Sequence, residues 1–124
     1  MKILIVDDED ALRGFLAKEL KARGYEVLQT HSGDEGLDIY KKNGPFAFVL
    51  SDYRFVSGTK IKDGVQLVTT IHEMNPSQRM AIMTAEPTEA RAKLPRALFH
   101  LRVLMKPFKV EQLVRLLREP VLPL

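Results

Sequence analysis

The sequence predicts an α/β domain: a parallel sheet covered by helices on both faces. Three observations predict it. Five short apolar runs, Ile3-Leu4-Ile5-Val6, Val27-Leu28, Phe46-Ala47-Phe48-Val49-Leu50, Met80-Ala81-Ile82-Met83 and Val103-Leu104-Met105, alternate with segments of helical periodicity. Phe46–Ser51 is apolar almost throughout, as a central strand buried on both faces should be. All runs but the second close on a residue that can do chemistry: Asp7 and Asp8, then Asp52, then Thr84, then Lys106. In an open parallel sheet the functional crevice lies at the carboxyl ends of the strands, near the switch in strand order. Residues far apart in sequence therefore converge at one edge, where acids with a hydroxyl and an ammonium beside them outline a divalent-cation and phosphoryl site.

The elements follow in order. The first strand is Lys2–Val6, and a helix runs from Asp10 to Arg23 with Leu12, Phe15, Leu16 and Leu20 toward the sheet. Gly24 is placed to end that helix in a left-handed turn. The second strand is Tyr25–Gln29. Ser32-Gly33-Asp34-Glu35 has the form of a capping box, and it opens a helix carrying Leu37 and Tyr40 that runs out at Asn43-Gly44-Pro45. The third strand is Phe46–Ser51, followed by an irregular stretch from Tyr53 to Asp63. Asp63 caps a helix whose Gly64, Leu67, Val68 and Ile71 share one face, with Asn75-Pro76 ending it. The fourth strand is Arg79–Met83. Pro87–Leu98 reads as a short or broken helix, because Pro95 inside a helix loses a hydrogen bond and clashes. The fifth strand is Leu101–Met105, and the last helix begins near Val110, carries Leu113, Val114 and Leu117 on one face, and stops before Pro120.

A chain of 124 residues with 45% hydrophobic and 28% charged content suits one globular domain, neither disordered nor membrane-embedded. The domain is expected over residues 1–119, with a short tail at 120–124. There is no cysteine, hence no disulfide framework and no thiolate metal site. The first apolar run stops at Asp7, too soon for a signal peptide or a membrane span, so a cytoplasmic location and no membrane partner are expected. Net charge is +3, but Lys and Arg are scattered and no nucleic-acid motif is present, so no direct nucleic-acid binding is expected. The three histidines, His31, His72 and His100, lack metal-ligand spacing and read as surface or packing residues, and the five methionines read as core filler.

ILIVDDE, VLSDY, MTA and LMKPF stand in the order found in the receiver domain of two-component response regulators, and the chain resembles that family over nearly its whole length. Each motif alone is weak; the ordered set at strand ends is specific. The resemblance implies a flavodoxin-like, doubly wound fold with a parallel sheet in the strand order 2-1-3-4-5. It also implies a phosphorelay role without a separate enzymatic substrate: the chain takes a phosphoryl group and catalyses its own transfer and hydrolysis.

Asp52 is the candidate phosphoryl acceptor, since a carboxylate oxygen can attack an in-line phosphoryl group and form an acyl phosphate. A reacting phosphoryl group needs its charge neutralised, which a hard cation such as Mg2+ does. The resemblance assigns that ion to Asp8 and Asp52, helped by Asp7 through water and by the backbone carbonyl of Arg54. Asp7 and Asp8 could instead cap the first helix through its dipole, but Glu9 and Asp10 already fill that role. Asp52 alone would read as a turn residue and Lys106 as a surface lysine; their joint presence at strand ends favours the functional reading. The family pattern gives Lys106 to the phosphoryl oxygens, makes the Lys106–Pro107 peptide cis, moves the Thr84 hydroxyl to a phosphoryl oxygen, and keeps Ala85 small. In that family the positions two past the acceptor and two past the threonine flank the route of hydrolytic water; the resemblance gives them to Arg54 and Glu86, whose opposite charges could pair across the pocket mouth.

The chain departs from the family in three places. The loop from Asp52 to Asp63-Gly64 is longer, lacks the usual Pro and gains lysines. Val103 stands where receivers carry the Tyr or Phe that swings inward, so the aromatic half of the switch is missing. Arg96-Ala97-Leu98-Phe99-His100 replaces a Gly-Ala pair. Expected partners are a sensor histidine kinase or a histidine phosphotransfer protein and a downstream protein of unknown identity, and the resemblance allows a phosphorylation-dependent homodimer. The altered loop and Val103 motivate an alternative, a receiver-like binding module acting without phosphorylation. A magnesium-dependent phosphatase using an aspartyl phosphate fits poorly, because Arg54 occupies the position of its general acid and cannot donate a proton there.

Overall fold

A computed structural model describes residues 1–55 and 60–120. Residues 56–59 of the longer loop and residues 121–124 lie outside the described residues. The elements are β1 (Lys2–Val6), α1 (Asp10–Ala22), β2 (Glu26–Thr30), α2 (Gly33–Asn43), β3 (Phe48–Asp52), α3 (Gly64–Met74), β4 (Met80–Thr84), α4 (Pro87–Lys93), a single 3-10 turn at Arg96–Leu98, β5 (Arg102–Met105) and α5 (Val110–Leu117). All strand pairs are parallel, in the order β2-β1-β3-β4-β5. This is the predicted doubly wound sheet, and its order reverses between β1 and β3.

Alternation along the strands explains the two layers. Leu4 and Val6, Val49, and Met80 and Ile82 point to one face, against Tyr40 of α2, Leu67, Val68 and Ile71 of α3 and Ala90 of α4. Ile3 and Ile5, Phe48 and Leu50, and Ala81 and Met83 point to the other, against Leu16, Ala17 and Leu20 of α1 and Leu113, Leu116 and Leu117 of α5. A period of two on a strand buried on both sides yields two cores from one continuous apolar run.

The helix ends follow their capping chemistry. The Ser32 hydroxyl accepts from the Glu35 amide at 3.1 Å, and the Asp63 carboxylate from the Gln66 amide at 2.8 Å. Only half of the expected capping box forms at α2: the Ser32 amide donates to the Thr30 hydroxyl at 3.5 Å. Gly24, with φ of +93°, turns the chain out of α1 as predicted. Helix α4 is short, and Leu94-Pro95 separates it from the 3-10 turn. Leu94 is already extended with ψ of 135°, as a residue before proline prefers.

Several expectations need correcting. Phe15 is 51% exposed. The buried stripe of α1 runs through Leu16, Ala17 and Leu20 with Leu12 beside it, and at 100° per residue Phe15 falls outside that arc. On α5 the stripe is Leu113, Leu116 and Leu117, with Val114 at its margin. The methionines are mostly not core filler: Met80 and Met83 are buried, whereas Met1, Met74 and Met105 are exposed. Strand β3 begins at Phe48 instead of Phe46. A buried polar cluster explains the offset: the Gln78 carboxamide accepts from the Phe46 amide at 2.9 Å and donates to the Phe46 carbonyl at 2.8 Å, in place of a ladder partner. The Tyr40 hydroxyl donates to the same Gln78 oxygen at 2.8 Å.

The glycines at the sheet edge supply a test. A Cβ on Gly64 would stand 2.1 Å from the Asp52 carbonyl oxygen, a backbone atom that cannot step aside. Gly14 in α1 has nothing within 4 Å of such a Cβ. Chemical denaturation should therefore show Gly64→Ala less stable by about 2–3 kcal/mol and Gly14→Ala more stable by about 0.5–1 kcal/mol; equal effects would refute the close approach of α3 to β3.

Candidate functional site

The reversal of strand order opens the crevice between β1 and β3, and the residues at their carboxyl ends fill it. Asp7 is fully buried, Asp52 is 8% exposed, and Asp8 is intermediate. A carboxylate oxygen from each of Asp7, Asp8 and Asp52 lies within 4.8 Å of the others. From β5 across the crevice, the Lys106 ammonium donates to Asp7 Oδ2 at 2.9 Å and to Asp52 Oδ1 at 3.2 Å. Four residues from three strand ends thus form one charged cluster, as the sequence predicts.

Backbone contacts fix the orientation of the acids. Asp7 Oδ1 accepts from the Glu9 amide at 2.8 Å, and Asp52 Oδ1 accepts from the Tyr53 amide at 2.9 Å. The Arg13 guanidinium donates to the Asp7 carbonyl at 2.8 Å, a contribution from α1 that no motif signals. Beneath Asp52, the Ser51 hydroxyl donates to its carbonyl at 2.9 Å, and the Gly64 amide donates to the Tyr53 carbonyl at 2.6 Å.

Burial is the largest influence on Asp52 and, with the negative charges of Asp7 and Asp8, pushes its carboxyl up to about 7 against the opposing pull of Lys106. Burial opposes the charge on Lys106, yet the hydrogen bond to Asp7 and the charges of both acids outweigh it and hold the ammonium above its ordinary value. The cluster is short of positive charge. Three hard oxygen donors at this spacing suit a divalent cation of the Mg2+ or Ca2+ kind.

Thr84 ends β4 and is buried at 4% exposure, and its hydroxyl accepts from the Glu86 amide at 2.9 Å. Ala85 is exposed beside it. The Lys106–Pro107 peptide is cis, as the resemblance implies. Val103 is half-buried in β5 and packs on the α3–α4 side of the core, with no ring to move.

Arg54 and Glu86 do meet at the mouth of the crevice. Arg54 Nε donates to Glu86 Oε1 at 2.6 Å, and the guanidinium carbon stands 5.2 Å from the centre of the Tyr53 ring. The hydrogen bond from Arg54 lowers the Glu86 carboxyl from its usual range and raises Arg54 further. The sequence reading missed Glu89, whose Oε2 accepts from the same guanidinium at 2.5 Å. Its signal was present: a carboxylate three residues past Glu86 at a helix start lies on the same side.

The described ends of the long loop are anchored. Arg54 and Asp63 form an isolated antiparallel bridge. Ile61 is buried at 5% exposure, and its amide donates to Asp34 of α2 at 2.7 Å. Gly33 makes room for it, since a Cβ there would meet the Ile61 side chain at 2.5 Å. The described ends of the loop, Phe55 and Ile61, therefore pack on α2 near Gly33. None of His31, His72 and His100 is fully buried, and none belongs to the acidic cluster. Among the described residues, no helix is long and apolar enough to cross a membrane.

Comparison with known proteins agrees with this geometry. The family model for the response regulator receiver domain matches residues 3–118. Sporulation initiation phosphotransferase F of Bacillus subtilis is 30% identical over 112 residues, covering 90% of this chain and 86% of that protein. Sensor kinase CckA of Brucella abortus is 30% identical over 118 residues, which are 94% of this chain and 12% of the kinase. Against three of the longer curated relatives, the chain spans only 12% or 18% of their length. Among solved structures, chemotaxis protein CheY4 of Vibrio cholerae superposes with a TM-score of 0.78 at 26% identity, covering 94% of this chain and 95% of that one. With its sheet order, its acidic crevice and its bridging lysine, the chain belongs to the response regulator receiver domain family.

Proposed function

We propose that Asp52 is the phosphoacceptor of this receiver and that Asp7, Asp8 and the backbone carbonyl of Arg54 join it in holding Mg2+. The observation that carries the reading is the Lys106 ammonium, which donates to both Asp7 and Asp52 across the crevice. An Asp52 oxygen attacks phosphorus in line as the bond from phosphorus to the donor's imidazole nitrogen breaks, leaving an acyl phosphate on the protein and the histidine free. The Tyr53 amide holds Asp52 Oδ1 and so orients the carboxylate for attack. Lys106 is placed to follow the phosphoryl oxygens, and the Thr84 hydroxyl to turn toward one of them. A bound Mg2+ supplies the positive charge that the three acids lack and that the transferring phosphoryl group needs.

The donor on this reading is a sensor histidine kinase or a histidine phosphotransfer protein, in keeping with the names of the kinase and phosphotransferase relatives. The receiver occupies residues 1–119, with 120–124 as a tail, and works in the cytoplasm. A downstream protein, or a second phosphorylated copy, reads the modified state. Family membership and the intact acid–lysine cluster speak against the alternative of a binding module that is never phosphorylated.

Three outcomes check the reading. Incubation with acetyl phosphate and Mg2+ should add one phosphoryl group to the intact mass of the wild type and none to Asp52→Asn; an unmodified wild type under saturating donor would end the proposal. The second concerns pH. Because folding raises the Asp52 carboxyl from 3.8 to about 7, the native state binds the proton more tightly than the unfolded state. This contribution to stability is present below pH ~4 and lost as pH rises through ~7. In magnesium-free buffer, Asp52→Asn should therefore melt about 5 °C above wild type at pH 8 and match it near pH 4, and an advantage that grows toward acid would reverse the assigned sign. The third concerns lifetime. Arg54 stands at the crevice mouth two residues past Asp52 and can cover the phosphoryl group, so Arg54→Asn should shorten the acyl-phosphate half-life several-fold; an unchanged or longer half-life would remove Arg54 from the protection.

A further inference from the structure

Arg54 links three parts of the molecule. It sits two residues past Asp52 at the end of β3, and its Nε holds Glu86 at 2.6 Å in the turn after β4. Its terminal nitrogen donates to Glu89 at 2.5 Å in the first turn of α4. Glu86 is itself held twice: its carboxylate takes Arg54, while its amide donates to the Thr84 hydroxyl at 2.9 Å. The guanidinium comes from the residue two past Asp52, and the hydroxyl from the end of β4, the strand paired with β3.

We infer that Arg54, Glu86 and Glu89 form a charge latch that keeps α4 seated in the resting state and opens on phosphorylation, with Glu89 as the positioning residue that carries the change into α4. The inference rests on the reading of Asp52 as phosphoacceptor. A phosphoryl group on Asp52 offers charged oxygens within the reach of an arginine two residues on, and guanidinium–phosphate pairing is bidentate and strong. The resting pairs are weak competitors. Side-chain exposures of 58% for Arg54, 47% for Glu86 and 42% for Glu89 leave them screened by water. As Arg54 turns inward it leaves both glutamates, and as the Thr84 hydroxyl turns inward it leaves the Glu86 amide. One event thus breaks every hydrogen bond named here that ties the 86–89 turn to the crevice.

Helix α4 is built to respond. It spans seven residues, ends at Leu94-Pro95, and buries only Ala90 completely. A segment with so few buried contacts opens locally at little cost. Val103, half-buried on β5, has no ring to follow Thr84. The Arg54 guanidinium, 5.2 Å from the Tyr53 ring and hydrogen-bonded to α4, provides a moving part on the β3 side instead.

Hydrogen exchange of the α4 amides, Ala90 to Leu94, tests the latch, with intact mass establishing phosphorylation in the same samples. Glu89→Gln removes the pairing, and Glu89→Asp shortens the reach while retaining an acid in the first helical turn. Both should exchange several-fold faster than wild type before phosphorylation, and in an Arg54→Gln background neither should add a further increase. Phosphorylation should speed these amides in the wild type and change them little in Glu89→Gln, although both proteins take the phosphoryl group. Wild-type exchange rates in unmodified Glu89→Gln, or an equal response of both proteins to phosphorylation, would overturn the latch and leave the phosphoacceptor reading intact. A wild type that acquires no phosphoryl group would overturn that reading and the latch with it. A Glu89→Gln effect that persists undiminished without Arg54 would assign Glu89 to the helix dipole and refute the coupling.

Discussion

A fully buried carboxylate must be compensated, and Asp7 is compensated by a lysine from the far end of the chain. Leaving such a charge unpaired in the interior is strongly destabilising. The Lys106 ammonium at 2.9 Å therefore ties the end of β5 to the end of β1 across the sheet. Its second bond, to Asp52 at 3.2 Å, puts β3 under the same constraint. The strand order makes this geometry available: β1 and β3 are neighbours at the reversal, and Thr84 and Lys106 end the next two strands on the same side. The fold supplies the convergence and the burial, and the burial makes the charges consequential.

The same constraint leaves the site deliberately incomplete. Burial first, and the charges of Asp7 and Asp8 after it, push Asp52 up to about 7 even with Lys106 in contact. On the proposed reading Asp52 is the nucleophile, which is useful only when ionised, so a cation that restores the carboxylate would also prepare it for attack. Stability and function pull in opposite directions here, as expected where acids are gathered for chemistry rather than for packing.

How much of this was legible in the sequence depends on which physical signal each residue carries. Strand ends were legible because a central parallel strand is apolar until it leaves the sheet, so Asp7, Asp52, Thr84 and Lys106 mark both boundary and site. Helix caps were legible where a short polar side chain precedes an apolar period, as at Ser32 and Asp63. Phe15 misled because helical spacing alone does not choose between two adjacent arcs of a helix, and the arc is set by what the sheet offers. Gln78 carried no signal: a lone carboxamide between Ser77 and Arg79 looks like loop surface, and only the fold shows it holding Phe46 and Tyr40 together. Arg13 was hidden for a related reason, since it reaches the Asp7 carbonyl from a helix whose docking sequence patterns do not specify.

The departures from the family pattern are connected through that docking. Val103 is a small side chain on the face of β5 that α4 covers, and the residues that gather charge, Arg54, Glu86 and Glu89, lie between the end of β3 and α4. Ile61 and Phe55, from the described ends of the longer loop, pack against the α2 side near Gly33. The charge able to respond at the crevice mouth has therefore shifted to the gap between β3 and α4, while β5 supplies the lysine. A site whose central cluster is fixed by a buried ion pair can tolerate such a shift, because the chemistry depends on the strand ends and the reporting of it on whichever neighbouring element is least firmly held. On the proposed reading α4 is an element of this kind: seven residues with one fully buried side chain, followed by Leu94-Pro95 and paired to Arg54 through exposed charges.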